Sequence, residues 1–303
     1  MPELPDVELY LHALRARVVG RPIERVRIGN PFIVRTYDPP VSALEGAVVR
    51  EIGRMGKRLV FALDDQLFMI LHLMIAGRLR WKDPGAAIPA KVGLLALDFA
   101  HGTLILTEAG SKRQASIHVV RGVEAMREHD RRGLEVLEAS LETFRERLTA
   151  ENHTLKRALT DPHIFSGIGN AYSDEILHAA RLSPMKLTSG LSDDEIDRLY
   201  HATRETLHLW VERLQEQAGG DWPDKVTAFH KEMAVHGKFG QPCPVCGQPV
   251  QRIVFARNEA NYCSACQTGG KLLSDRALSR LLGQDWPKTL EEMENRRRQG
   301  RES

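Results

Sequence analysis

The chain has 303 residues, of which 42% are hydrophobic and 27% are charged, and its formal net charge at pH 7 is +2. This length suggests at least two domains of ~150 residues each. The composition excludes a collagen-like, a wholly disordered and a membrane-embedded chain, so we predict no membrane partner. The net charge is too small to indicate a nucleic-acid partner by itself, and any such surface must be local.

The start of the chain carries no feature of a secretion signal. Residues 1–6 include two acidic side chains, whereas a signal peptide begins with a basic region followed by an apolar one. The longest apolar runs, such as residues 67–75, are far shorter than the ~20 residues that span a bilayer. We therefore expect a cytoplasmic protein, in which cysteines do not normally form disulfides.

The N-terminal part of the sequence predicts one helix followed by many short strands. The helix begins at Pro5, a residue favoured in a first helical turn, and ends before Gly20. From Pro22 to about residue 120 the apolar residues occur in short alternating runs separated by turn residues. This pattern is typical of an antiparallel β-sandwich or barrel.

Beyond residue 130 the spacing of the apolar residues becomes helical. The longest of these helices opens with a capping box formed by Ser192 and Glu195. The predicted helices cover residues 134–148, 155–159, 171–181, 192–217 and 275–282.

The cysteines form two C-x2-C pairs separated by 16 residues, a spacing typical of four thiolates around one tetrahedral zinc ion. Alternating apolar residues between the pairs predict a hairpin that brings them together. Four unrelated buried thiols would explain neither the pairing nor the spacing. We therefore predict one structural zinc ion, with four protein ligands: Cys243, Cys246, Cys263 and Cys266.

Two further features allow more than one interpretation. Gly167 and Gly169 precede Asn170 at the start of a predicted helix, an arrangement found in phosphate sites but also in simple turns. Removal of Met1 would expose the secondary amine of Pro2, and an α-amino group, with a usual pKa of about 8, is partly unprotonated near neutral pH. Such an amine can attack a sugar C1′, but spacing alone does not select this chemistry.

Taken in order along residues 1–268, these motifs resemble the Fpg/Nei family of DNA glycosylases. The resemblance rests on MPELPDVE at 1–8, GKRL at 56–59, HLMIAGRLR at 72–80, GIGNAYSDE at 167–175 and the four-cysteine finger. It implies an α+β multi-domain fold: an antiparallel β-sandwich with an N-terminal helix, a helical helix-two-turn-helix lobe and a zinc-finger hairpin, with DNA between the lobes. The expected domains are residues 1–130, 131–235 and 236–268, with a C-terminal extension over 269–303.

The resemblance also implies roles for individual residues. Pro2 corresponds to the Schiff-base nucleophile, and Glu3 to the acid that aids base departure and ring opening. Lys57 corresponds to a lysine that contacts phosphate and donates a proton in β-elimination. Phosphate contacts in the helix-two-turn-helix motif correspond to Lys156 and Asn170.

The sequence departs from the family at three places. The arginine expected five residues before the third cysteine, which reaches phosphates at the lesion, is Asn258, with Arg257 one step earlier. We expect both residues to contact DNA. We predict β-elimination and leave δ-elimination open. Arg113 is expected to face the base left unpaired, but Gln114 replaces the aromatic wedge beside it. The methionine that fills the void in the duplex corresponds to Met74 or Ile75.

The resemblance implies a monomeric, zinc-containing enzyme of base excision repair that acts on damaged double-stranded DNA. It would combine DNA glycosylase and AP lyase activities and excise oxidised bases. Purines are favoured because residues 72–80 are closer to the Fpg branch of the family. Two alternatives stay open: a non-catalytic lesion-binding protein of the same fold, and an AP lyase with weak glycosylase activity. The expected location is the cytoplasm, in association with the nucleoid.

Overall fold

The computed structural model describes residues 1–110, 112–255, 258–274, 283, 286–293 and 295–296. The chain divides into two compact units. The first consists of Met1–Gly133 and His208–Ala228, and the second of Leu134–Leu207 and Phe229–Ser303. No helix in the described part of the chain is long and apolar enough to cross a membrane.

The first unit begins with helix α1 (Leu4–Val18) and continues with two four-stranded antiparallel sheets. One sheet has the strand order β1 (Arg25–Ile28), β6 (Gly93–Phe99), β7 (Gly102–Glu108) and β5 (Gly77–Lys82). The other has the order β2 (Val49–Met55), β3 (Arg58–Leu63), β4 (Leu67–His72) and β8 (Ser116–Arg121). The predicted antiparallel sandwich with an N-terminal helix is confirmed. A short helix, α2 (Val123–Arg127), follows β8 and was not predicted.

Strand β4 explains the longest apolar run of the sequence. It lies between β3 and β8, and Met69, Ile70 and Leu71 are each at most 1% exposed. A strand buried on both faces loses the alternation of apolar and polar residues. Helix α1 contacts β2 and β3 of the same sheet, which places the start of the chain beside the β2–β3 hairpin.

The segment after the longest helix also belongs to the first unit and packs there through Trp222. The indole Nε1 donates a hydrogen bond to the carbonyl of Leu79 (3.3 Å). The ring of Tyr10 lies 5.9 Å from that of Trp222, and the Arg17 guanidinium lies 5.6 Å from its centroid. One aromatic side chain thus contacts both strand β5 and helix α1, and Arg80 of β5 also donates to the Asp224 carbonyl of the same segment.

The remaining helices and a two-stranded hairpin lie in the second unit, except that the longest helix continues into the first unit from His208. Helix α5 begins directly after the glycine turn, and α6 opens with the predicted capping box, since Ser192 N donates to Oε2 of Glu195 (2.9 Å) and Glu195 N donates to Oγ of Ser192 (3.3 Å). The elements are α3 (Leu141–Thr149), α4 (Leu155–Thr160), α5 (Asn170–Ala179), α6 (Asp193–Ala218), β9 (Gln251–Phe255), β10 (Asn258–Tyr262) and α7 (Ser264–Thr268).

The predicted helix over residues 134–148 is wrong in its first half. Leu134 forms an isolated bridge with Phe165: its N–H donates to the Ile164 carbonyl (2.9 Å), and its carbonyl accepts from Ser166 N (2.9 Å). Helix α3 begins only after Ser140, whose hydroxyl accepts from the Thr143 N–H (3.2 Å). Distant pairing and this cap together prevail over the helical spacing of the apolar residues. The helix predicted over 275–282 lies outside the described residues.

We expect Phe144→Ala to lower the free energy of unfolding by about 3–5 kcal/mol, because it removes a fully buried ring and leaves a cavity. Phe144 is 0% exposed, and its ring stacks on Phe165 at 4.8 Å and contacts Tyr200 edge-on at 5.5 Å. Denaturant unfolding followed by circular dichroism measures the loss. The matched control, Leu209→Ala at a half-exposed position of α6, should change the value by less than about 0.5 kcal/mol. Equal effects of the two substitutions would contradict the assigned core.

Candidate active site and nucleic-acid-binding segments

The residues that follow the exposed Met1 are buried and held in a defined direction. Pro2 is buried, and Glu3, which is 3% exposed, is the N-cap of α1. The Glu3 N–H donates a hydrogen bond to Oδ2 of Asp6 (2.8 Å). This contact is half of a capping box and fixes how the chain enters the helix.

The N-terminal amine, here that of Met1, has an altered acidity. Burial is the main cause that lowers its pKa below the usual value. The positive charges of Arg78 and Lys57 add to this effect, and the negative charges of Glu3 and Asp6 oppose it. An amine with a lowered pKa is more often unprotonated, and hence nucleophilic, near neutral pH. The structure thus places both Glu3 and Lys57 close enough to the amine for their charges to affect its pKa.

Lys57 is held there by the tight turn between β2 and β3. Met55 pairs with Arg58, so Gly56 and Lys57 form a two-residue hairpin loop. Gly56 has φ +60°, which the first central position of a type II′ turn requires. Burial, followed by the charges of Arg58 and Lys57, lowers the pKa of His72 to about 4, so His72 is neutral near pH 7.

The turn after β4 presents one apolar side chain to solvent. A Cβ at Gly77 would lie 2.2 Å from the Leu73 carbonyl oxygen, so only glycine allows this close turn. Met74 has φ +52° and is half-buried, and its N–H donates to Nδ1 of His72 (2.9 Å). Ile75, the next residue, is 64% exposed.

The loop that carries Arg113 and Gln114 is anchored by a buried carboxylate. Glu108, at the end of β7, accepts hydrogen bonds from the N–H groups of Gln114 (2.9 Å) and Ala115 (3.0 Å). Arg113 and Gln114 are both exposed, and the Arg113 guanidinium donates to the Lys91 carbonyl. The loop therefore offers two polar side chains and no aromatic one at these positions.

The glycine turn before α5 is supported by Lys156 from α4. The Lys156 ammonium donates to the Asn170 carbonyl (2.6 Å), to Oγ of Ser173 (2.9 Å) and to Oδ1 of Asp174 (2.5 Å). An ammonium has three protons, and protein acceptors take all three. The predicted phosphate contact of Lys156 would require one of these bonds to be exchanged. Asn170 is half-buried at the start of α5.

Two polar residues of α5 that the sequence did not single out hold the region around the finger. The carboxylate of Glu175 accepts three backbone N–H groups, from Ala234 (2.7 Å), Val235 (2.9 Å) and His236 (2.9 Å). His178 lies one helical turn further on, with Nε2 3.3 Å from Sγ of Cys243. Their i, i+3 spacing on a helix was the signal available, but nothing in the sequence named their partners.

The four cysteines converge as predicted. All four sulfur atoms lie within 4.8 Å of one another, with 4.0 Å between Cys243 and Cys266 and 3.3 Å between Cys246 and Cys263. Thiolates bound tetrahedrally at ~2.3 Å from zinc are about 3.8 Å apart, so the donor set fits the ion. Burial raises the pKa of the Cys263 thiol to about 11, and bound metal is what makes such a thiol a thiolate. Four protein ligands leave no open position, so the zinc is structural.

The hairpin above the zinc site is formed by β9 and β10, with Phe255 paired to Asn258. Arg257 lies outside the described residues, and of Asn258 the structure describes only the backbone position. The DNA contacts predicted for these two residues stay predictions.

We expect about one zinc ion per chain by metal analysis, and removal by a strong chelator should unfold the hairpin. Without the ion, the cysteines no longer hold the two ends of a short two-stranded ribbon together, and such a ribbon is marginally stable alone. Amide hydrogen exchange of residues 251–262 should become fast after chelation and slow again on adding zinc, while β4 stays protected. Well under one zinc per chain in a folded protein would contradict the assignment.

Comparison with known proteins agrees with this geometry. Three family models match successive parts of the chain: the formamidopyrimidine-DNA glycosylase N-terminal domain at residues 1–114, the H2TH domain of the same enzyme at 134–219, and the zinc finger found in FPG and IleRS at 240–269. The chain is 33% identical to the formamidopyrimidine-DNA glycosylase of Symbiobacterium thermophilum over 88% of its length and 89% of that protein. The identity with the Thermus thermophilus enzyme is 32%, over 89% of this chain and all of the relative.

Solved structures of the same kind share the fold. Lactococcus lactis FPG in complex with FAPY-dG-containing DNA matches with a TM-score of 0.78 and 27% identity, over 88% of this chain and 100% of that chain. MutM in complex with DNA containing carbocyclic 8-oxo-G matches with a TM-score of 0.76 and the same identity and coverage. From its sequence motifs, its zinc finger and these relatives, the chain belongs to the formamidopyrimidine-DNA glycosylase family.

Proposed function

We propose that this DNA glycosylase excises oxidised bases, with purines favoured, from duplex DNA in base excision repair, and then cuts the abasic site by β-elimination. The observation that carries the proposal is the position of Pro2, which is buried directly before the N-cap Glu3. It lies at an N-terminus whose amine, here that of Met1, has a pKa lowered by burial and by the positive charges of Arg78 and Lys57. The preference for purines is supported by relatives crystallised with FAPY-dG and 8-oxo-G DNA. Because the substrate is chromosomal DNA, a cytoplasmic, nucleoid-associated location is part of the proposal.

Removal of Met1 makes the ring nitrogen of Pro2 the nucleophile. This nitrogen forms a bond to C1′ of the damaged nucleoside as the bond from C1′ to the base breaks, and the base leaves with the electron pair and a proton. Ring opening gives an iminium ion on Pro2, which acts as an electron sink. Loss of a C2′ proton then expels the 3′ phosphate, and water releases the enzyme. Glu3 donates the proton with which the base leaves and takes up the proton that the Pro2 nitrogen loses on bonding to C1′. It then gives that proton to the ring oxygen as the sugar opens.

Lys57 is assigned to the elimination step. Its turn holds the ammonium half-buried in the neighbourhood of the N-terminal amine. There it binds a phosphate oxygen next to the lesion and donates a proton as the phosphate leaves. The positive charge also favours the unprotonated amine, since a second cation nearby lowers the pKa of the first.

Ile75 is the better candidate for the residue that enters the duplex once the target nucleotide leaves it. Enzymes that act on a base in a duplex must take that base out of the stack. Ile75 is exposed at the tip of the turn, whereas Met74 has the left-handed backbone of the turn and is half-buried. Arg113 is assigned to the base left unpaired. The next residue, Gln114, is polar, where the resemblance implies an aromatic wedge.

The remaining DNA contacts are to the phosphate backbone. We assign phosphate contacts to three residues: Asn170 at the start of α5, and Arg257 and Asn258 in the finger hairpin. Contacts to phosphate position the duplex and do not distinguish one base from another. Lys156 acts on the same contact through the carbonyl of Asn170.

Borohydride reduction in the presence of an abasic-site duplex should give a covalent adduct that maps to Pro2, because the reagent traps the iminium ion. Intact mass must first show that Met1 is lost. We expect Glu3→Gln to slow excision of an oxidised purine about 10²–10⁴-fold, the usual loss on removing a general acid, while trapping on the abasic site persists.

The outcomes separate the alternative functions. No adduct from zinc-loaded protein that begins at Pro2 would reject the lyase chemistry and favour a lesion-binding protein. An adduct on abasic sites with no excision of oxidised purines would favour an AP lyase with weak glycosylase activity. Single-turnover rates on the two duplexes distinguish these results.

We expect Asn170→Ala to weaken binding to damaged and undamaged duplexes by a similar factor, about tenfold, because a hydrogen bond to a charged phosphate is lost and no base contact changes. Fluorescence anisotropy at fixed salt measures both affinities. Asn152→Ala, at an exposed asparagine of the same unit, is the matched control and should bind as the unaltered protein does. Unchanged affinity of Asn170→Ala for both duplexes would reject the contact.

A further inference from the structure

The buried carboxylate of Asp174 joins three separate parts of the second unit. Its Oδ1 accepts from Lys156 of α4 (2.5 Å). Its Oδ2 lies 2.8 Å from Nδ1 of His236, and the side-chain amide of Asn261 on β10 donates to the same oxygen (3.1 Å). The side chain of Asp174 is 0% exposed, so these contacts take the place of water.

Each partner of Asp174 is itself fixed to a functional segment. Lys156 also donates to the Asn170 carbonyl, in the first turn of α5. The backbone of His236 is held by Glu175, which accepts its N–H (2.9 Å). Asn261 lies three residues beyond Asn258 in the finger hairpin and is 1% exposed. A continuous chain of side-chain hydrogen bonds therefore runs from the turn at Asn170 to strand β10.

A buried polar chain of this kind is not needed for stability alone. Apolar residues of the same volume often stabilise a core as well as or better than a buried ion pair does. What hydrogen bonds add is direction and distance, because each bond tolerates only a narrow geometry. The chain is suited to setting the position of one segment relative to the other.

We propose that Asp174 is a positioning residue that couples the two phosphate-binding segments, the turn at Asn170 and the β9–β10 hairpin, through Lys156 on one side and Asn261 on the other. The inference rests on the proposed function for the DNA contacts of these segments. The coupling itself predicts that a change at Asn261 alters the turn at Asn170, and this can be tested without DNA.

Substitution of Asn261 is the best way to remove the coupling. Substitution of Asp174 would leave the buried Lys156 ammonium without its carboxylate, and the protein would be in danger of not folding. Asn261→Ala leaves the carboxylate its contacts with Lys156 and His236. Val254→Ala, at an exposed position of the same hairpin, is the matched control, since Val254 is apolar and lies in the opposite strand. Both variants are used as zinc-loaded full chains, and zinc content confirms an intact finger.

The first measurement is amide hydrogen exchange of residues 166–173 in the protein without DNA. We expect Asn261→Ala to speed exchange there about threefold or more, the scale of coupling between residues of one network, and Val254→Ala to leave it unchanged. Equal exchange in Asn261→Ala and the unaltered protein would overturn the inference, whatever the protein does with DNA.

The second measurement is a double-mutant cycle in binding to a duplex with a stable abasic-site analogue. We expect Asn261→Ala to weaken binding about fivefold in the unaltered protein and less than about twofold when Asn170→Ala is already present. Effects that simply multiply would show that the two segments act independently, and would also overturn the inference. If Asn170→Ala alone binds normally, the proposed phosphate contact fails, and the exchange experiment still decides the coupling.

Discussion

The second unit depends on the burial of two neighbouring carboxylates on helix α5. Asp174 and Glu175 are 1% and 6% exposed, and a buried carboxylate is tolerated only when its oxygens are hydrogen-bonded or paired with a cation. Asp174 meets this requirement with Lys156, and Glu175 meets it with three consecutive backbone N–H groups. Burial still raises the pKa of Glu175 above its usual value, which shows how much of its solvation is lost.

This constraint ties the glycine turn before α5 to the zinc finger through one helix. The acceptors of Lys156 lie at the start of α5, and His178 contacts the zinc ligand Cys243 near its end. Burial lowers the pKa of His178, so the ring is neutral near pH 7 and its Nε2 can donate to the sulfur. Such contacts orient a ligand and tune the metal site from outside the coordination sphere. Helix α5 thus begins at the turn for which we propose phosphate contacts and supports the finger near its end.

The chemistry proposed for the first unit depends on a different constraint, because the secondary amine of Pro2 becomes available only when Met1 is removed. In the structure Pro2 and Glu3 are buried, and the capping contact between Glu3 and Asp6 fixes their direction. Burial also lowers the pKa of the Met1 amine that precedes them. A nucleophile at a free, solvated terminus would have neither the altered acidity nor the fixed direction. The departures at Ile75 and Gln114 leave this arrangement intact and affect only the residues assigned to the gap in the duplex.

Local features of this protein could be predicted from its sequence: the zinc ligands, the hairpin between them and the capping box at Ser192. Each depends on residues close together in the chain, so spacing is enough to predict it. Tertiary structure decided the rest. Leu134 pairs with Phe165 instead of continuing a helix, Lys156 gives its three protons to protein acceptors, and Asp174 meets a partner 87 residues away. These contacts arise because buried polar groups must find partners, and sequence spacing does not record which distant groups the folded chain brings within hydrogen-bond distance.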